Sequence, residues 1–144
     1  MSMEGVKERR GPKYMLDTSS CAAILTRADA AVLQRLDGIG VGDAGISAVT
    51  LSELMAGVAM SRREAQDRAA LEVFLRHVPV LDYPAGAATH YAGMREILHW
   101  REAMIGPKEL LVAAHARSLE MTLVTGRTRE LKIVPGMEVE SWNP

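Results

Sequence analysis

A chain of 144 residues with 48% apolar and 24% charged side chains is long enough for one domain with a sizeable core, and it needs no disulfide or structural metal to fold. Its single cysteine, Cys21, excludes a disulfide framework and a thiolate zinc cluster, and a net charge of −1 excludes a strongly basic nucleic-acid binder. No apolar run reaches the roughly 18 residues of a membrane span, and no apolar stretch follows the basic start MSMEGVKERRGPKY, so the sequence reads as a cytoplasmic protein without a secretory signal.

Residues 1–12 carry Gly, Pro and charge without a period and read as a disordered extension, with Met15 as an alternative start. Residues 13–144 read as one domain. Residues 1–13 hold four basic residues against two acidic ones, which leaves the body of the chain mildly acidic. KYMLD is a short apolar run that stops at Asp17 and reads as a strand followed by a helix start. CAAILT and AAVLQRLDG read as two short helices, the second closed by Gly38. GISAVT reads as a second strand, after which Thr50 opens a helix with apolar residues at 51, 54, 55 and 58. REAQDRAALEVFLRH continues the helical period, and VPVLDY reads as a third strand closed by Pro84. AGAATHYAGMREILHWREA is a long helix, and IGPKELLVAAHARSLE another, with Pro107 in the first turn where its missing N–H costs nothing. MTLVT and MEVESW read as the fourth and fifth strands.

Short apolar strands alternating with helices predict an α/β sandwich around a parallel sheet, and such sheets bind ligands beyond the carboxyl ends of their strands. Four acids fall near that edge. Asp17 ends the first strand, Glu53 lies just past the second, Glu109 is in the first turn of the Pro107 helix, and Glu130 follows the fourth strand. Converging carboxylates repel unless a cation sits among them, and oxygen donors without His or Cys suit Mg²⁺ or Mn²⁺. Such an ion polarises a phosphoryl oxygen and acidifies water, the two requirements for cutting a phosphodiester. Each acid also has a structural reading. Thr50-x-x-Glu53 matches a capping box, Glu109 complements a helix dipole, Asp17 can cap the next helix, and Glu130 can be a solvated surface acid.

KYMLDTSSC resembles the opening strand of PIN domains, whose VapC members usually read LDTN here. ISAVTLSELMAGVAMS resembles their second signature, and IGPKELLVAAHARSLEMTLVTGRTRELKIVPGMEVESW is similar over its length to the C-terminal block of the VapC ribonuclease toxins. The matches run in order from residue 13 to 142. The resemblance implies a three-layer α/β domain with a five-stranded parallel sheet flanked by helices, a homodimer, and a Mg²⁺- or Mn²⁺-dependent endoribonuclease that cuts structured RNA, often tRNA, to 3′-hydroxyl and 5′-phosphate ends. It implies an inhibiting VapB-type antitoxin as partner. It puts Asp17, Glu53 and Glu109 on the principal acidic positions, Glu130 on a further acid, and Thr18 and Thr125 on small hydroxyl positions near the metal.

Three positions depart from that pattern. Glu109 stands where the family usually has Asp, Ser19 replaces Asn, and VTNN becomes VTGR, which puts Arg127 beside the site. A guanidinium there can hold phosphate in two-point fashion or neutralise a carboxylate and displace the metal. Arg127, Arg129 and Lys132 are the candidates for phosphate contacts. The alternative readings are a catalytically impaired PIN fold that binds RNA or antitoxin without cutting, and a DNA flap nuclease, which the lack of an extra helical arch disfavours. The four histidines lack a metal-motif spacing, His115 reads as a helix-packing residue, Cys21 as a small core residue, and Trp100 and Trp142 as too isolated for a base-stacking platform.

Overall fold

The computed structural model describes residues 11–27, 30–40 and 42–142. Its elements follow the order β1 (Tyr14–Leu16), α1 (Thr18–Leu25), α2 (Ala30–Asp37), β2 (Ala44–Ser47), α3 (Ala48–Ala59), α4 (Glu64–His77), β3 (Val80–Leu81), α5 (Gly86–Trp100), α6 (Pro107–Ser118), β4 (Thr122–Val124), α7 (Thr128–Leu131) and β5 (Val139–Glu140). The strands form one five-stranded sheet in the order β3-β2-β1-β4-β5, and every neighbouring pair is parallel. This is the α/β arrangement with a helix-flanked parallel sheet that the sequence pattern predicts.

β1 lies at the centre and is buried on both faces, which is why YML contains no polar residue. Alternation along the strand sends Tyr14 and Leu16 into one core and Met15 into the other. The first core is completed by Ile24, Val32, Leu54, Leu71 and Phe74 from α1 to α4. The second is completed by Met94 and Leu98 of α5, by Leu110, Val112 and three alanines of α6, and by Leu131 of α7. These two cores make the three layers. No helix among the described residues is long and apolar enough to cross a membrane.

Four local features differ from the sequence reading. The second strand stops at Ser47, and Ala48–Thr50 already belong to α3. Ser47, not Thr50, caps that helix: its hydroxyl accepts from Val49 N–H at 3.1 Å. Thr50 is buried inside the first turn, so the capping box read at Thr50 and Glu53 does not form. The third strand shrinks to Val80–Leu81, and TREL, to which the sequence reading gave no element, closes into the short helix α7. Most of the extension expected over residues 1–12 lies outside the described residues, but Pro12 is buried. A Cβ added at Gly45 would stand 2.8 Å from Pro12 Cγ, so glycine is what lets the chain start close over β2.

Candidate active site

The carboxyl ends of β1 and β4 open onto a pocket of about 220 Å³. Its polar lining is Asp17, Thr18, Ser19, Glu53, Lys108, Glu109, Thr125 and Arg127, over an apolar floor of Val112, Leu123 and Leu131.

Asp17 is held by backbone. Its N–H donates to Val124 O at 3.0 Å, which carries the β1 pairing one residue past the strand. Its Oδ1 accepts from Ser20 N–H at 2.8 Å and caps α1. Ser20 Oγ donates back to Val124 O at 3.2 Å. A carboxylate has two oxygens, so capping with Oδ1 leaves Oδ2 for a ligand. The structural and functional readings of Asp17 are therefore compatible.

Glu53 projects from α3, whose start is fixed by Ser47 at the end of β2. Lys108 Nζ lies 3.0 Å from Glu53 Oε1. Glu109 sits in the first turn of α6, where a negative charge suits the helix dipole. Its Oε2 accepts from Arg127 Nε at 3.0 Å, and its Oε1 folds back to within 3.2 Å of where a Cβ on Gly106 would stand. Arg127 reaches on to Glu130, with Nη1 3.7 Å from Oε1. Its own backbone N–H donates to Thr125 Oγ1 at 3.0 Å, tying the turn after β4 to the pocket lining.

The predicted acids Asp17, Glu53 and Glu109 thus share one pocket with Thr18, Thr125 and Arg127. Glu130 is not part of that lining and is linked to it through Arg127. Arg129 and Lys132 are exposed on and just after α7 and do not line the pocket. Lys108 escaped the sequence reading. A cation in the first turn of a helix is unfavourable with the dipole, so its presence beside Glu109 was the available signal that it serves another group.

The donor set is oxygen alone, with no His or Cys in the lining, and so fits a hard divalent cation. As the side chains lie, no three carboxylate, His or Cys groups among the described residues are close enough together to hold an ion. The physical reason is visible in the two ion pairs, which turn Glu53 towards Lys108 and Glu109 towards Arg127. The Arg127–Glu109 side chains are 47% and 45% exposed, and such pairs contribute about 0–1 kcal/mol to stability, so the fold does not depend on this one.

Behind the pocket, His115 is fully buried, with Nδ1 2.8 Å from Ser47 Oγ and its ring edge-on to Tyr83 at 5.2 Å. Burial pushes its pKa below the usual histidine value, opposed in part by the Asp82 backbone. It is the packing residue the sequence suggested, joined to the cap of α3. Cys21 is likewise buried, and burial together with the Asp17 charge raises its thiol pKa, so it stays protonated and inert. Trp142 is a core residue against Tyr14, with ring centroids 5.5 Å apart.

The PIN domain family model matches residues 14–134. The tRNA(fMet)-specific endonuclease VapC of Shigella flexneri is 37% identical over 131 residues, covering 91% of this chain and 98% of that protein. The chain belongs to the VapC family of PIN-domain proteins. Among solved VapC-containing structures, VapBC2 from Rickettsia felis bound to a promoter DNA fragment superposes with a TM-score of 0.82 at 30% identity, covering 90% of this chain and 98% of that one. DNA-bound VapBC from Salmonella typhimurium gives 0.82 at 31% identity, covering 91% and 98%. All three departures from the usual VapC pattern, Ser19, Glu109 and Arg127, line the same pocket.

Proposed function

We propose that this protein is a metal-dependent endoribonuclease toxin that cuts structured RNA, with tRNA as its substrate class, and is neutralised by a VapB-type antitoxin. The observation that carries the reading is that Asp17, Glu53 and Glu109 line one pocket at the carboxyl ends of parallel strands. These three residues would hold Mg²⁺ or Mn²⁺, with Glu130 completing the acidic set through the turn after β4. When bound, the cation supplies polarisation of the scissile phosphoryl group and a more acidic water.

The rest is done by the chain itself. Asp17, fixed by β4 and by its cap on α1, sets the position against which phosphate is placed. Thr18 and Thr125 add hydroxyls to the lining, and Val112, Leu123 and Leu131 close its floor and lower the local dielectric. Lys108 and Arg127 offer cations to backbone phosphates at the mouth, with Arg129 and Lys132 further out. A homodimer and a cytoplasmic location accompany this reading through the family likeness.

An apolar groove of about 690 Å³ runs between α1, α2 and α4, lined in part by Leu25, Leu33, Leu36, Val73 and Phe74. It is the surface we assign to the antitoxin, because the related structures are VapBC complexes and Val73 is 51% exposed in the free chain. The Arg127–Glu109 ion pair favours one alternative, a PIN fold that binds RNA or antitoxin without cutting.

Cleavage of total tRNA by protein freed of antitoxin decides between them. Discrete fragments with Mg²⁺ or Mn²⁺ that vanish with EDTA and with Asp17→Asn support the nuclease. Tight RNA or antitoxin binding without fragments at any metal concentration would establish the non-cutting alternative.

A further inference from the structure

Arg127 does more than lie near the acids. One guanidinium spans two of them, with Nε on Glu109 Oε2 at 3.0 Å and Nη1 3.7 Å from Glu130 Oε1. Arg127 holds the Oε2 oxygen of Glu109, while Oε1 lies over Gly106. The Arg127 backbone is anchored on Thr125, so the guanidinium is presented to the pocket from a fixed turn. Charge counting points the same way. The lining holds three acids, Asp17, Glu53 and Glu109, against two bases, Lys108 and Arg127, so its formal charge is −1; without Arg127 it would be −2.

We propose that Arg127 is a built-in competitor for the divalent cation, a resident counter-ion that raises the metal concentration at which this site loads. The proposal rests on the metal-dependent reading above and adds the element that regulates it. An ion held by Glu109 competes with the Arg127 guanidinium for the same carboxylate. The displaced guanidinium is then free to meet an anionic phosphate, so loading the metal and engaging phosphate are coupled. A unit charge about 5 Å from a divalent ion in water-like surroundings weakens binding on the order of tenfold.

The test is Mn²⁺ binding without RNA, by calorimetry and by the electron paramagnetic resonance signal of free Mn²⁺. It compares the parent protein, Arg127→Gln, and Arg129→Gln, which removes a charge from the short helix that follows Arg127 without touching either ion pair. The expected result is Mn²⁺ affinity about tenfold tighter for Arg127→Gln and within about twofold of the parent for Arg129→Gln. Arg127→Lys keeps the charge but cannot make the two-point bridge, and should fall between parent and Arg127→Gln; it serves as the readout if Arg127→Gln does not fold. Equal affinity in parent, Arg127→Gln and Arg127→Lys overturns the proposal while leaving the metal site standing. Equal tightening by Arg129→Gln also overturns it, because the effect would then be general charge. Absence of Mn²⁺ binding in every protein overturns both the proposal and the metal-dependent reading.

Discussion

The two walls of the acidic pocket are held by different means. On the β1 side, Asp17 is locked by backbone, through its own N–H on Val124 and its carboxylate on Ser20. On the α6 side, Glu109 is oriented by the side chain of Arg127, and Glu53 across from it by Lys108, itself 71% exposed. Backbone bonds in a sheet and a helix cap persist as long as the fold does. Exposed ion pairs exchange freely with water, salt or a ligand. One wall is therefore preorganised and the other adjustable, and the adjustable wall carries Glu109 and Arg127.

The sharpest way to break that comparison is at Asp17. Asn caps a helix about as well as Asp, so Asp17→Asn should lose RNA cleavage by about 100-fold or more while the urea midpoint barely moves. Asp17→Ala should lose cleavage equally and also about 1 kcal/mol of stability in urea unfolding, because the cap goes with the charge. If Asp17→Asn proved as unstable as Asp17→Ala, the cap would need the charge, and the two roles of this residue would not be separable.

Next in size is a pH effect behind the pocket, at His115 of α6. His115 is buried with its pKa lowered, so the unfolded chain binds a proton more readily than the folded one. Stability should be full above the ordinary histidine value of 6.5 and fall as pH drops below it towards the depressed folded value. Thermal unfolding from pH 7.5 down to pH 5 would show the slope, and His115→Gln should flatten it. An unchanged slope in that variant would assign the effect to other groups.

Smallest is the adjustable wall itself. Lys108→Gln removes an exposed ion pair and should change stability by less than about 1 kcal/mol. Glu109→Asp should shift stability just as little but withdraw the carboxylate from Arg127, with a gain in cleavage at limiting Mg²⁺. A large stability loss in either variant, measured by urea unfolding, would mean that this wall is as fixed as the other.

The same contrast explains what was legible in the sequence. β1 could be read because a strand buried on both faces must be apolar throughout, and Asp17 because it follows that strand directly, at the edge of a parallel sheet where ligands bind. α6 was marked by Pro107 and by its run of alanines and leucines. The boundary between β2 and α3 was not, since GISAVT suits a strand and a helix equally until Ser47 is seen to accept from Val49 N–H. α7 was missed because four residues are too few for a period. The four acids could be placed near one edge because each follows a strand or opens a helix in a parallel sheet. Their pairing with Lys108 and Arg127 could not, because an ion pair between residues 53 and 108 depends on how two helices lie side by side.

The central claim is that a divalent cation binds between these two walls, and paramagnetic broadening by sub-stoichiometric Mn²⁺ tests it most directly. The account predicts that backbone amide signals of Thr18, Ser19, Glu53, Lys108, Glu109 and Thr125 broaden first. Those of α4, which does not line the pocket, should stay sharp. Broadening centred elsewhere, or none at saturating Mn²⁺, would contradict it.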